Sequence, residues 1–350
     1  MKDESINKIY FNFGKLNNLP YNGTDGNLLT NEKLVSKLLH GDIVVHSGIF
    51  HADDVFAVAL VILIRNLYGS KDNKIIRIPK TEDLESFKDP LVMDLLGGQY
   101  DHHMTENQKK YRDKNSVLSD LLDTKYSYFA SKHEKFPFAS FGALWNNVGC
   151  LFQPNVRASN IKLDITKKFD SNFIFTIDMQ DNFGPADISS PLSRVISNFN
   201  TLDGDQDEKF RKAVDFAIPI LESEIKVEQS EIEALSLVSE LELKGISNNK
   251  YLVIPESNDY NRVNQSVVND YINESGETPD FIINLNPSPR DGSIRMLTVH
   301  GFVLSSESIL NSRKSPDCVF THNAGFLSTW KSLDSLMNFI NSDEFKLIKK

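Results

Sequence analysis

Two cysteines in 350 residues, Cys150 and Cys318, are too few for a disulfide framework. Neither has a second Cys nearby, which excludes a thiolate metal site, and a reducing, cytoplasmic setting is expected. An excess of positive charge is missing too: 38 Lys and Arg stand against 48 Asp and Glu, for a formal net charge of -10. That argues against a protein that coats long nucleic acids through a broad basic face. It leaves room for a nucleotide or short oligonucleotide whose phosphates are neutralised by metal ions. No apolar run is long enough to span a bilayer, so no membrane partner is expected; the longest, Val55 to Ile64, reads as a buried helix. The opening stretch MKDESINKIYFNFGKLNN has no apolar centre, and no secretory signal is expected there. Internal repeats, the G-x-S-x-G nucleophile elbow and the H-E-x-x-H zinc motif are also absent from the sequence.

What is present is ordinary globular composition, 40% hydrophobic and 25% charged, in a chain long enough for two domains. Residues 1–39 read as an irregular, Asn- and Gly-rich extension that ends in a short helix through EKLVSKLLH, capped by Thr30 or Asn31. From 40 to 205, strands (IVVH, KIIRIP, LVMDLL) interleave with helices (Asp53 to about Tyr68, and FGALWNNVGCLF), the pattern of an α/β domain with a mostly parallel sheet. Residues 206–244 have helical periodicity with interspersed charge and form a long helical connection, which Pro219 should kink or divide. This connection offers a pairing surface for a homo-oligomer. Strands return in 245–350 (YLVIPE, DFIINLNP, IRMLTVHGF) with a closing helix near Ser332 to Asn341, making a smaller C-terminal α/β domain.

Ligands of open α/β sheets gather at the carboxyl ends of strands, and four stretches put acids or imidazoles there. His46 ends IVVH, with His51 and Asp53 in the following loop and helix start. Asp94 ends LVMD before a Gly-Gly turn, QYDHH adds Asp101, His102 and His103, and FIFTIDMQDNFG adds Asp178 and Asp181. Singly, each has an ordinary explanation: an N-cap for Asp53, turn chemistry for Asp94, a solvated face for Asp178 and Asp181. Asp54 reads as a first-turn acid favoured by the helix dipole. Together, the four stretches point to a metal site. Imidazole with carboxylate suits Mn²⁺ first, with Mg²⁺, Co²⁺ or Fe²⁺ as alternatives. Such a set can hold two ions roughly 3.5 to 4 Å apart that acidify a shared water and clamp a phosphate, the requirements of phosphoester hydrolysis. Lys109, Lys110 and Arg112 could touch further phosphates or form a solvated loop tip.

In this order, HSGxFHxDD, VxD with its Gly-Gly turn, YDHH and IDxxDN resemble the melanocyte-proliferating-gene-one family, DHH-like proteins related to the RecJ exonucleases and family II pyrophosphatases. The likeness runs from about Asp42 to Lys350 and includes FASFGALW (Phe138 to Trp145), DGSIRMLTV and CVFTHNAGF. It implies a two-metal DHH-type phosphodiesterase, in which 40–205 is the metal-binding catalytic domain and 245–350 the substrate-binding domain. By position, His46, His51, Asp53 and His102 would be ligands, Asp94 the bridge between two divalent ions, and either Asp178 or Asp181 the fourth-motif ligand, with the DNFG context favouring Asp181. Asp101 would orient His102, and His103 would face the substrate phosphate. Arg295, His322, Asn323 and Gly325 would grip the substrate, expected to be RNA, a short oligonucleotide or a nucleotide.

Overall fold

The computed structural model describes residues 9–12, 15–16, 19, 31–70, 73–79, 84–95, 98–103, 109–112, 126–156, 164–246, 248–257, 263, 265–276, 278–299 and 301–349. Thr30 and most of the loop after the His pair lie outside these residues. The chain divides into two compact units, residues 1–154 with 164–229, and residues 155–163 with 230–350.

In the first unit, α1 (Asn31–His40) leads into β1 (Ile43–His46), followed by α2 (Ala52–Tyr68), β2 (Ile75–Ile78) and β3 (Leu91–Met93). The sheet is parallel with order β2-β1-β3, as the alternation of strands and helices predicts, and Val45 lies beside Met93. Its carboxyl edge therefore places His46 next to Asp94. Val44 and Val92 pack with Ile76, Ile78, Leu84 and Phe87. Every residue of α2 from Ala52 to Arg65 is buried, and Gly69 ends it in the left-handed conformation at φ 86. Arg65 at its end is buried, and it donates to the carbonyls of Leu38 at 2.8 Å and Gly41 at 2.6 Å, satisfying acceptors at the end of α1.

The remaining helices of this unit are α3 (Ser127–Lys132), α4 (Ser140–Val148), α5 (Ile165–Phe169), α6 (Phe175–Phe183) and α7 (Pro191–Phe199). A π-helical turn, Asp170–Ile174, joins α5 to α6. Next, α8 (Gln206–Val238) runs through Pro219 as one helix of 33 residues. The expected division does not occur, because Phe210, Ala213, Val214, Ala217, Leu221 and Ile225 bury a continuous stripe on both sides of the proline. No described helix is long and apolar enough to cross a membrane.

The second unit holds a six-stranded mixed sheet. Its strands are β4 (Lys244–Ile246), β5 (Asn249–Ile254), β6 (Phe281–Asn284), β7 (Ile294–Thr298), β9 (Cys318–Thr321) and β10 (Leu327–Trp330), in the order β4-β5-β6-β7-β10-β9. The stretch IRMLTVHGF, read above as one strand, breaks at Gly301 (φ 81), and β8 (Phe302–Leu304) pairs instead with β11 (Leu347–Lys349). One core joins Leu252, Ile254 and Ile282 to α9 (Gln265–Ser275) and to the last turns of α8. The other joins Phe281, Met296 and Trp330 to Ile309 of α10 (Ser306–Lys314) and to α11 (Leu333–Ile340).

Candidate metal centre

Backbone pairing explains how separate stretches converge. Tyr100 bridges to Met93 beside β3, donating its N–H to Val92 and accepting from the Asp94 N–H at 3.1 Å. The turn between them needs Gly98, because a Cβ there would lie 2.5 Å from Val92 Cγ1. Asp94 takes a left-handed backbone at φ 45, which Asp tolerates better than most residues. The result is that Asp101, His102 and His103 follow directly alongside Asp94.

Asp94 is the hub. Its Oδ2 lies 3.1 Å from His46 Nε2 and its Oδ1 2.8 Å from His102 Nε2, so the two oxygens serve different imidazoles. On the His46 side, Asp54 Oδ2 stands 2.9 Å from His46 Nε2. His46 Nδ1 is 3.0 Å from the Ser47 carbonyl, which can only accept, so Nδ1 carries a proton and Nε2 is the ring nitrogen turned toward both carboxylates. On the His102 side, Nε2 is 3.1 Å from Asp181 Oδ2 and 3.8 Å from Asp53 Oδ2, and His51 Nδ1 is 3.6 Å from Asp181 Oδ1. Three triads thus have ligand-type atoms within metal-holding range: His46, Asp54 and Asp94; Asp94, His102 and His103; His51, Asp53 and Asp181.

Several of these atoms lack the partners that buried polar groups normally have. Both oxygens of Asp53, Asp54 Oδ2, Asp94 Oδ1 and His102 Nε2 are buried without a hydrogen bond, although ion-pair distances are short. Close approach without hydrogen-bond alignment is what a shared cation between the atoms would require, and the donor set fits a divalent ion of borderline or hard character.

The electrostatics agree. Burial, then the Asp181 and Asp94 carboxylates, push Asp53 well above the ordinary carboxylate range. Burial also raises Asp54, against the opposing effect of His46. Burial would raise Asp94 as well, but His102 and His46 outweigh it and hold Asp94 well below that range. For His46 and His102, burial disfavours the proton, yet the facing carboxylates prevail and push them up to about 10 and about 9. In the metal-free cluster, two imidazolium protons offset charge that metal ions would otherwise offset.

The cluster brings together His46, His51, Asp53, Asp94, His102, His103 and Asp181. Asp101 was expected behind His102; its Oδ1 accepts the His103 N–H at 2.9 Å and lies 3.3 Å from His103 Nδ1. Asp178 faces another way. It is fully buried and accepts from Arg112 Nη2 at 2.7 Å and from the Gly142 N–H at 3.3 Å. Burial raises it to about 6 despite Arg112.

Two residues correct the sequence reading. Asp54 does cap α2, accepting the His51 N–H at 3.1 Å, but its second oxygen joins the cluster. A first-turn acid looks the same in sequence whichever way its free oxygen points. Arg112 is neither a phosphate contact nor a loop tip: its side chain is 1% exposed and locked to Asp170 and Asp178. These partners lie 58 and 66 residues away, so no local pattern could have signalled them.

The other predicted residues form a separate group in the second unit. Arg295 on β7 sits between Asn284 of β6 and Thr329 of β10. Arg295 Nε, Asn284 Nδ2 and Thr329 Oγ1 are buried without hydrogen-bond partners. His322, Asn323 and Gly325 share the turn between β9 and β10. There Gly325 has φ 73, and a Cβ would meet the Leu304 carbonyl at 2.7 Å. Asn323 Oδ1 accepts from Arg313 at 2.5 Å.

Fold and cluster together define an α/β protein with a candidate metal centre of histidines and aspartates. The model of MYG1_exonuc, described as an uncharacterised protein family (UPF0160), matches residues 42–300, and the chain belongs to that family. The chain is also similar to MYG1 protein C27H6.8 of Caenorhabditis elegans, 28% identical over 186 residues that cover 49% of this chain and 51% of the relative. The match therefore spans about half the length of that curated relative. No solved structure matches the chain at a significant level.

Proposed function

We propose that the protein is a divalent-metal-dependent phosphodiesterase that removes nucleotides from the ends of RNA or short oligonucleotides. The observation that supports this best is Asp94, whose two oxygens address His46 and His102 separately, the disposition of a carboxylate that bridges two ions. His46, Asp54 and Asp94 would hold one ion; Asp94, Asp53, His102 and Asp181, with His51 beside them, the other. Divalent ions held there, Mn²⁺ first and Mg²⁺ or Co²⁺ as alternatives, would supply Lewis-acid charge for a phosphoryl oxygen and would lower the pKa of water toward neutrality.

The chain's own groups do the rest. Ser47 fixes the tautomer of His46, and Asp94 keeps its charge because its pKa is held low. His103, 54% exposed and anchored at Nδ1 by Asp101, leaves Nε2 accessible to exchange a proton with a leaving oxygen. Arg295, with His322, Asn323 and Gly325, is assigned to the grip on substrate phosphate. The cytoplasmic setting belongs to this proposal and rests on the two free thiols.

The test incubates the purified protein with Mn²⁺ and end-labelled RNA and DNA oligonucleotides. Mononucleotide release that depends on Mn²⁺ and is lost in Asp94→Ala is the expected result. An unchanged rate in Asp94→Ala, or no product from any oligomer, would sink the proposal. Phosphate release from pyrophosphate alone would move the activity to a phosphoanhydride.

A further inference from the structure

We infer that Arg112 is a positioning residue for the Asp181 half of the centre, acting through Asp178 and the helix both aspartates share. The inference rests on the metal-centre reading above and adds a residue outside the cluster. Arg112 donates to Asp170 with Nε and Nη2, both at 2.6 Å, and from Nη2 to Asp178 at 2.7 Å. Its Nη1 donates to the Pro137 carbonyl at 3.0 Å, and its guanidinium lies 4.3 Å from the centre of the Phe138 ring. Four of the fork's five N–H groups are therefore committed inside the protein, with Asp170 held bidentately.

Both acids bracket the π-helical turn Asp170–Ile174 that precedes α6. Such a turn inserts a residue into the helical repeat and rotates everything after it. Asp170 lies at its start and Asp178 one turn into α6, so Arg112 clamps the rotated segment from both ends. Asp181 is three residues beyond Asp178, and its carboxylate faces His102 at 3.1 Å and His51 at 3.6 Å. The rotation of α6 decides whether that carboxylate meets the histidines.

The clamp is itself held in place. Residues 110–112 are tied to 136–138 by Arg112 N–H to the Phe136 carbonyl at 2.9 Å and Phe138 N–H to the Lys110 carbonyl at 3.0 Å. Gly142 of α4 completes it: a Cβ there would fall 1.9 Å from Asp178 Oδ2 and 2.7 Å from Arg112 Nη2, so no larger residue leaves the pair intact. Arg112 also offsets Asp178, whose charge acts on Asp53 inside the cluster.

Mn²⁺ titration of the full-length, metal-stripped protein, followed by calorimetry and by the spin-coupled paramagnetic signal of a dinuclear pair, tests this. Wild type should bind two ions and give the coupled signal. Arg112→Lys keeps the charge but loses the fork. It should bind one ion as wild type does and the second roughly 10- to 100-fold more weakly, the usual consequence of losing a group that orients a ligand. The coupled signal should vanish while the circular dichroism spectrum holds. If Arg112→Lys fails to fold, Asp178→Asn provides the same reading, because Arg112 remains paired with Asp170. Two ions with wild-type affinity and an intact coupled signal in the folded variant would overturn the role of Arg112. Equal weakening of both ions would overturn it too, as a general structural effect. A wild type that binds no ion would overturn the metal centre and this inference together.

Discussion

Asp94 Oδ1 stands 2.8 Å from His102 Nε2 yet forms no aligned hydrogen bond with it, while Asp94 Oδ2 is left to His46 at 3.1 Å. A carboxylate placed for one histidine would spend its better geometry on that histidine. Asp94 divides its oxygens between His46 and the His102–His103 pair, at the end of β3 and in a left-handed conformation that few residues accept. Strain of this kind persists when the surroundings dictate it. Here the Tyr100 pairing and the tight Gly98 turn do so.

Replacing Asp94 by Asn keeps the shape and removes the charge. If Asp94 bridges, Asp94→Asn should lose the coupled pair of ions rather than one of them, and hydrolysis of oligonucleotides should fall to the level of metal-stripped protein. Calorimetric stoichiometry is the measurement. Retention of two tightly bound ions would show that the bridge lies elsewhere.

Metal binding should release protons. His46 and His102 are raised to about 10 and about 9, so both are protonated at pH 7.5 in the metal-free protein, and ligation requires the neutral ring. Each displaced proton makes affinity rise about tenfold per pH unit. Affinity should therefore climb from pH 6.5 toward pH 9, and calorimetry in buffers of different ionisation enthalpy should count at least two protons per filled centre. The metal-free fold runs the other way. These histidines are raised above their unfolded value of 6.5, so their stabilisation is fully present below pH 6.5 and is lost as pH rises through about 9 to about 10. Urea midpoints of stripped protein at pH 6.5 and 10 check the second sign.

Asp54→Asn separates its two roles. The amide oxygen can still accept the His51 N–H and cap α2, whereas the anionic oxygen facing His46 is gone. Thermal stability of the stripped protein should stay within a few degrees, and the ion on the His46 side should weaken roughly 10- to 100-fold. A large drop in melting temperature with unchanged metal binding would return Asp54 to a purely structural part.

The contrast between Asp54 and His46 shows what was legible in the sequence. An apolar strand that stops at a histidine, followed by an apolar helix, already marks the carboxyl edge of a parallel sheet. His46, Asp94 and the His102 stretch could be placed there by strand-end logic alone. The choice between Asp178 and Asp181 was open, because both are three apart on one helix and only their distant partners distinguish them. Arg112 was invisible for the same reason. It sits in a polar stretch after the His pair, and its burial is decided by Asp170, Phe138 and the rotation that the π-helical turn imparts. Of the two outcomes expected at Pro219, a kink or a division, the division does not occur, because propensity is local while the apolar stripe of α8 extends well beyond it on both sides.

That stripe makes a last prediction. Pro219 is exposed within α8, and its ring removes the hydrogen bond that the Asp215 carbonyl would otherwise accept. Pro219→Ala restores a donor without touching the buried residues at 217 and 221. The full chain should gain about 1–3 kcal/mol against urea, the order of the proline penalty in a helix interior. A gain in stability with unchanged metal binding would show that the proline is a tolerated defect in a helix held by its apolar face. A loss of stability would show that the proline's geometry is itself needed for the helix to follow the surface it covers, and burial on both sides of it would then depend on that bend.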